Sequence, residues 1–276
     1  MKIAAPKPGK YPNTPFDLYA LWDARNHSQL RLIERSPLHF QQSVLEDSPA
    51  KIVGRAAHLC LLEPHAFAEQ VMLAPVNPKT GKSYGYDTLM YAGAAAECPG
   101  SILLSEEDME ACMAMRKAVW AHPGARDILA EQAVSELSCV WKDGASGILC
   151  KMRGDRVSGR WWVDFKTTED ASPVAFARSV VDYGYDTAQA FYDLGRKAHG
   201  ITATPVLIVA EKKPPYAVAV YEIGEQTMGT ARTRVNEWMA RLERCLREKA
   251  WPGYDEAITT IEAPVWHLKK FADAEV

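Results

Sequence analysis

No apolar run in the 276-residue chain approaches the roughly 20 residues that a membrane-spanning helix needs. The amino terminus, MKIAAPKPGKYPNTPF, carries four prolines and no continuous apolar stretch, so no secretory leader is expected. The six cysteines (Cys60, Cys98, Cys112, Cys139, Cys150, Cys245) form no CxxC pair, and a chain this large needs no staples. Reduced thiols in a cytoplasmic setting are therefore expected. Charge of one sign is also lacking. Thirty-two basic and 35 acidic residues leave a net charge of −3, so bulk charge points to no nucleic-acid partner. Any such role has to rest on a local site. No HExxH, GxSxG elbow or GxGxxG follows a strand, and paired His or Cys residues at zinc-ligand spacing are absent. Gly81-Lys82-Ser83 has the ending of a phosphate-binding loop, but Val76 stands where its first glycine belongs.

What is present is a globular composition: 47% hydrophobic residues, with 8 Trp, 11 Tyr and 7 Phe, exclude a disordered or low-complexity chain. No repeat or linker divides the sequence, and the expected organisation is one domain over 1–276. Residues 1–130 read as mainly helical, 131–255 as a strand-bearing core and 256–276 as a tail. Residues 1–27, rich in Pro and aromatics, read as an extended lead-in. A short helix follows Ser28 and is expected to stop at Pro37. Residues 52–63 form a buried helix ending at Glu63-Pro64, and 75–85 a loop. Ser105-Glu-Glu-Asp108 is a capping box opening helix 105–121, with Met109, Cys112, Met113 and Trp120 as its apolar stripe. From residue 134 to 168 three strands with short turns form a meander. Helix returns from Ser172 to about Gly200, then β-rich runs at 205–210 and 217–221. A last helix spans about 226–250, with Val235, Trp238, Met239, Leu242 and Leu246 at helical spacing. The fold class is α/β (α+β), a central mixed sheet flanked by helices.

One constellation carries chemistry. Strand side chains alternate faces, so Asp164 and Lys166 of Trp161-Trp-Val-Asp-Phe-Lys-Thr point one way while Val163 and Phe165 enter an apolar layer. The Ser158-Gly159 turn can return Asp155 to the same side. Two carboxylates and an ammonium on rigid sheet suit metal-assisted phosphodiester cleavage: hard divalent cations take carboxylate oxygens, and a lysine offsets developing charge. Taken by itself, the same triplet reads first as an ordinary salt bridge on a solvated strand face.

Asp155…Asp164-Phe-Lys166 resembles the PD-(D/E)XK nuclease motif. Further blocks resemble the RecE/RecB-like, phage-type alkaline exonuclease family: Ser28-Gln-Leu…Ser36-Pro-Leu-His-Phe40, Gly54-Arg-Ala-Ala-His58-Leu-Cys-Leu-Leu-Glu63-Pro64, Lys79-Thr-Gly-Lys82, Glu136, Cys150-Lys-Met-Arg-Gly-Asp155-Arg, Val163-Asp-Phe-Lys-Thr-Thr168 and Tyr185…Gln189-Ala-Phe-Tyr192. They span about residues 28–195. The resemblance implies a restriction-endonuclease-like core and Mg²⁺, with Mn²⁺ as substitute. It implies Asp155 and Asp164 as metal carboxylates, Lys166 as catalytic lysine, and His58 near the metal. Glu136 is a further candidate ligand, or else a solvent-facing acid. A Gln four residues before a Tyr is also implied. Here Gln189 stands three before Tyr192 and Ala188 fills the expected place, about 100° away on a helix. Tyr192 carries over and the role of Gln189 stays open.

Lys151, Arg153 and Arg156 flank Asp155 as phosphate-contact candidates, and Arg31, Arg35 and Arg55 are candidates to line a DNA channel. Only Cys245 follows the motif, so no iron–sulfur cluster is expected. The implied activity is 5′→3′ digestion of linear duplex DNA, leaving a 3′ overhang for a single-strand annealing protein. The enzyme would be cytoplasmic, bacterial or phage-encoded, and a ring-shaped trimer or tetramer. The alternatives are a non-hydrolytic protein that binds DNA ends or a recombination complex, and a single-strand nuclease or endonuclease of the same fold.

Overall fold

The predicted meander is the centre of the molecule. The computed structural model describes residues 2–42, 48–265 and 267, so positions 266 and 268–276 of the expected tail lie outside the described residues. The amino-terminal portion contains β1 (Gly9–Tyr11), α1 (Phe16–Leu21), α2 (His27–Leu30), α3 (Leu32–Arg35), α4 (Pro37–Gln42), α5 (Pro49–Leu62) and α6 (Pro64–Gln70). It continues through β2 (Val71–Leu73), α7 (Leu89–Glu97), β3 (Ile102–Leu104), α8 (Glu106–Ala121) and α9 (Pro123–Ala130). The core follows as β4 (Ala133–Lys142), β5 (Leu149–Ser158), β6 (Trp161–Thr168), α10 (Pro173–Asp182), α11 (Tyr185–Ala198), β7 (Thr204–Glu211), β8 (Val218–Tyr221) and α12 (Glu225–Glu248).

Six strands form one mixed sheet in the order β1-β4-β5-β6-β7-β8, while β2 and β3 make a separate parallel pair. Every neighbour pair in the large sheet is antiparallel except β6 and β7. A parallel pair needs a crossover, which α10 and α11 supply. Alternation along β6 sorts its side chains as predicted. Trp162 packs with Phe191 of α11 and Trp238 of α12, whereas Val163 and Phe165 join Ala57 of α5, Met115 of α8 and Ile128 of α9.

Several expectations need correction. Residues 1–27 are not an extended lead-in, because β1 pairs with the edge of β4 and α1 follows it. The helical stretch after Ser28 does stop short of Pro37, with α3 ending at Arg35 and Ser36 extended, but Pro37 does more than stop it. It opens α4, where its missing N–H belongs to a turn that has no helical acceptor. On α8 the inward stripe is Cys112, Met115 and Val119, while Met113 and Trp120 are 59% and 39% exposed. Leu246 of α12 is likewise exposed. The helical stretch after Ser172 is two helices, divided at Gly184, whose φ of 70° is left-handed and disfavours a side chain.

Candidate active site

The site lies where the sheet forks. β4 and β5 pair along nearly their full length, but β5 meets β6 only at Arg156↔Val163 and Val157↔Trp162. Beyond Val163, β6 stays with β7. The Phe165 N–H, left without a carbonyl on β5, donates to Asp155 Oδ2 at 2.7 Å. A carboxylate thus stands where a ladder acceptor would otherwise be needed. Gly154 makes the fork possible, since a Cβ there would lie 2.7 Å from Trp162 Cζ2.

Four elements converge on this point. β6 presents Asp164 and Lys166 together, the ammonium bonded to Asp164 Oδ1. α11 contributes Gln189, fully buried, whose Nε2 donates to Asp164 Oδ2 at 3.3 Å while its Oε1 accepts from Arg196 Nη1 at 3.2 Å. From the opposite layer, α5 brings His58, with Nδ1 3.4 Å from Asp155 Oδ2 and its ring edge-on to Phe165. β4 brings Glu136. The register that pairs Ser135 with Arg156 and Leu137 with Gly154 sets Glu136 opposite Asp155. Its φ of 54° is left-handed, a conformation that costs a non-glycine residue on the order of 1 kcal/mol and is held by its surroundings. Ligand atoms of His58, Glu136 and Asp155 all lie within 4.8 Å of one another.

The charges are crowded. Burial raises the Asp155 carboxyl well above its ordinary value, and neighbouring Asp164 raises it further. Burial works the same way on Asp164, but the Lys166 ammonium overcomes it and holds that carboxyl low. Burial would lower Lys166, yet Asp164 and Asp155 raise it, so the group is a permanent ammonium. Glu136 is raised by burial and by Asp155 despite its ion pair with Arg153 Nε. His58 is lowered, first by burial and then by Lys166, which leaves a neutral imidazole able to lend a lone pair.

The structure therefore gathers Asp155, Asp164, Lys166, His58, Glu136 and Gln189 at one point. Tyr192 is at the rim of the same group: its ring stacks obliquely on Trp162 at 6.3 Å, and its phenol is raised by burial and by Asp164. The three flanking cations do something else. Lys151 is buried, and its ammonium donates to the carbonyls of Tyr19 (2.6 Å), Trp22 (2.9 Å) and Ala20 (3.2 Å), tying α1 to the sheet. Arg153 is spent on Glu136 and the Thr14 carbonyl, and Arg156 on the carbonyls of Leu129 and Glu131. All three are thus engaged with the protein itself, Lys151 and Arg153 on the face of β5 that they share with Asp155 and Arg156 on the other. Two residues had no assigned role from sequence. Arg196 stands two helical turns after Gln189, a spacing that places both on one face. Tyr185 lies with its ring centre 5.2 Å from Lys166 Nζ.

A family model described as a PDDEXK-like domain of unknown function (DUF3799) matches residues 26–264. The crystal structure of a candidate exonuclease from Eubacterium rectale has the same fold, with a TM-score of 0.58 and 13% identity over 91% of this chain and 93% of that one. A second solved structure, that of SSO0001, aligns over 77% of this chain and 85% of its own at 14% identity, with a TM-score of 0.30 that carries no argument. No curated protein matches significantly.

Proposed function

Since the chain belongs to the PDDEXK-like family, and so to the PD-(D/E)XK nuclease superfamily, we propose that it is a metal-dependent exodeoxyribonuclease of linear double-stranded DNA. It digests 5′→3′ and leaves 3′ single-stranded overhangs for an annealing protein. The observation that carries this reading is the meeting of Asp155, Asp164 and Lys166 at the β5/β6 fork, with His58 and Glu136 closing round them.

The residues present fit a divalent cation. Glu136 and Asp155 are carboxylates whose buried charges oppose each other, and His58 offers a neutral nitrogen beside them. Glu136, Asp155 and His58 would hold the ion, with Asp164 alongside. The oxygen-rich set suits Mg²⁺, and the imidazole extends the choice to Mn²⁺. When bound, such an ion polarises a phosphoryl oxygen and lowers the pKa of an attacking water.

The chain's own groups do the rest. Lys166, held as an ammonium by its two aspartates, donates toward the charge that builds on the phosphoryl oxygens and does not serve as the base. Gln189, braced by Arg196, fixes the orientation of Asp164. With Lys151, Arg153 and Arg156 engaged internally, DNA must be held by other cations. A trimeric or tetrameric ring, with positive groups turned to its bore, reconciles that need with a net charge of −3. No helix among the described residues is long and apolar enough to cross a membrane, and the reading places the enzyme in a bacterial cytoplasm, host- or phage-encoded.

The test is digestion of a linear duplex labelled at one 5′ end, with Mg²⁺ and with EDTA. Metal-dependent release of the labelled nucleotide, the complementary strand staying long, is expected. Binding without cleavage under any metal would refute the enzyme. Rapid cutting of closed circles would make it an endonuclease.

A further inference from the structure

Beside the Asp164–Lys166 pair a column of aromatic rings runs from half-buried Tyr221 through the interior to the surface. Tyr221 stacks on Phe176 (5.4 Å between ring centres, 14° between planes), Phe176 on Tyr185 (6.0 Å, 28°) and Tyr185 on Tyr183 (5.7 Å, 30°). Phe176 is buried, whereas Tyr183 is 64% exposed and ends the column. Burial of Phe176 fixes the rings behind Tyr183, so its exposed face is presented by a rigid stack.

Tyr183 also lines a cleft of about 440 Å³ with His27, Ser28, Arg31 and Arg35. Arg31 is locked against the turn, donating at 2.7 Å to the carbonyls of both Tyr183 and Asp182. Gly184 permits this approach, because a Cβ there would stand 3.2 Å from the Arg31 guanidinium carbon. Arg35 donates through Nε to the Tyr254 hydroxyl. Among the described residues neither guanidinium meets a carboxylate. The acid that lines the cleft, Glu34, is turned to Arg234 at 2.8 Å. The cleft is thus a net-positive recess walled on one side by an exposed ring, and its column passes 5.2 Å from Lys166 Nζ.

We propose that this cleft is a subsite for an unpaired nucleotide adjoining the cleaved linkage. The base stacks on Tyr183, and the phosphates of its strand lie on Arg35, whose Nη groups are not given to a carbonyl or carboxylate among the described residues, with the charge of the carbonyl-bound Arg31 behind them. An aromatic face beside guanidinium groups is the arrangement that holds single-stranded nucleic acid without regard to sequence, since every base has a π-face. The Tyr185 ring bridges the subsite to Lys166, so the strand entering the fork is gripped immediately beside it. The assignment deepens the nuclease reading and rests on it for the identity of the strand.

The experiment measures binding of a duplex carrying 2-aminopurine as its 5′-terminal base, in EDTA so that nothing is cut, alongside cleavage of the same DNA with Mg²⁺. Wild type should quench the fluorophore. Tyr183→Ala keeps the backbone carbonyl that Arg31 uses. It should lose the quenching and bind about tenfold more weakly, the loss of one stacked base, with an unchanged melting temperature. Tyr183→Phe should restore both. Quenching and affinity unaltered in Tyr183→Ala, while wild type cuts normally, would overturn the subsite and leave the nuclease standing. Quenching lost in Tyr183→Ala from a wild type that never cuts would support the subsite and refute the nuclease. A wild type that neither binds nor cuts overturns both.

Discussion

Replacing Gly154 by alanine probes the fork directly. The added methyl would lie 2.7 Å from both Trp162 Cζ2 and Val157 Cγ2, and 2.9 Å from Trp162 Cε2. Trp162 is fully buried and cannot swing aside as the end of an exposed side chain could. Overpacking of this kind costs about 1–3 kcal/mol, while alanine recovers roughly 0.5–1 kcal/mol of the entropy that glycine loses in a strand. A net destabilisation of about 1–2 kcal/mol is expected, a fall in Tm of roughly 2–8 °C at about 2–4 °C per kcal/mol. Activity should fall further than stability, because Asp155 is the next residue and its bond to the Phe165 amide depends on the position of β5. Trp162→Phe removes the indole edge that clashes, and because Trp162 Nε1 has no hydrogen-bond partner, no polar contact is lost with it. The double variant should therefore be more stable than the two single costs predict, by about 1 kcal/mol. Urea unfolding of the four proteins, with cleavage rates, measures all of this. Gly159→Ala, with no atom within 4 Å of its methyl, is the neutral control. Strict additivity, or a Gly154→Ala protein that melts with wild type, would refute the packing argument.

Four more outcomes follow. Asp164→Asn, which keeps a side-chain acceptor for Lys166 and Gln189, should abolish Mg²⁺-dependent cleavage while the protein stays folded by circular dichroism; surviving activity would end the assignment of Asp164. Lys166→Ala should reduce kcat far more than DNA affinity, whereas lost binding at unchanged turnover would make Lys166 a plain phosphate contact. Arg196→Met should lower kcat, with partial retention in Arg196→Lys, since only a cation at that place can brace Gln189; equal losses in both would mean simple packing. His27 is held at about 3 by burial, and its unfolded value is near 6.5. Between those values the unfolded chain binds the extra proton, so this contribution is whole above pH 6.5 and is lost as pH falls toward 3. His27→Asn should flatten that acid limb in pH-dependent melts, and an identical limb would contradict the assignment.

Much of the centre was legible because it is local. Asp164 and Lys166 are two apart on one strand and Asp155 is one turn back, so alternation alone brings them together. His58 was carried by a family block and not by any period, because its contact to Asp155 spans almost a hundred positions of chain. Residues 1–27 were misread for the same reason. A three-residue strand has no period to detect, and its partners, Val140, Cys139 and Ser138, stand far along the sequence. Lys151 shows the limit of composition. A lysine near a candidate metal carboxylate reads as a phosphate contact until three backbone carbonyls are found around its ammonium. Gln189 reached Asp164 despite its offset from the expected spacing, because the helix start at Gly184 sets which face meets the sheet.

The bond between Asp155 Oδ2 and the Phe165 amide ties a candidate metal ligand to the main chain itself. A ligand that draws electron density from that carboxylate weakens its hold on the amide proton, so occupancy at the fork is written into the backbone as a change in amide chemical shift and exchange rate. Phe165 is thus a resident reporter, readable by NMR without probe or substrate. A cation at the fork and the Phe165 amide compete for the same oxygen.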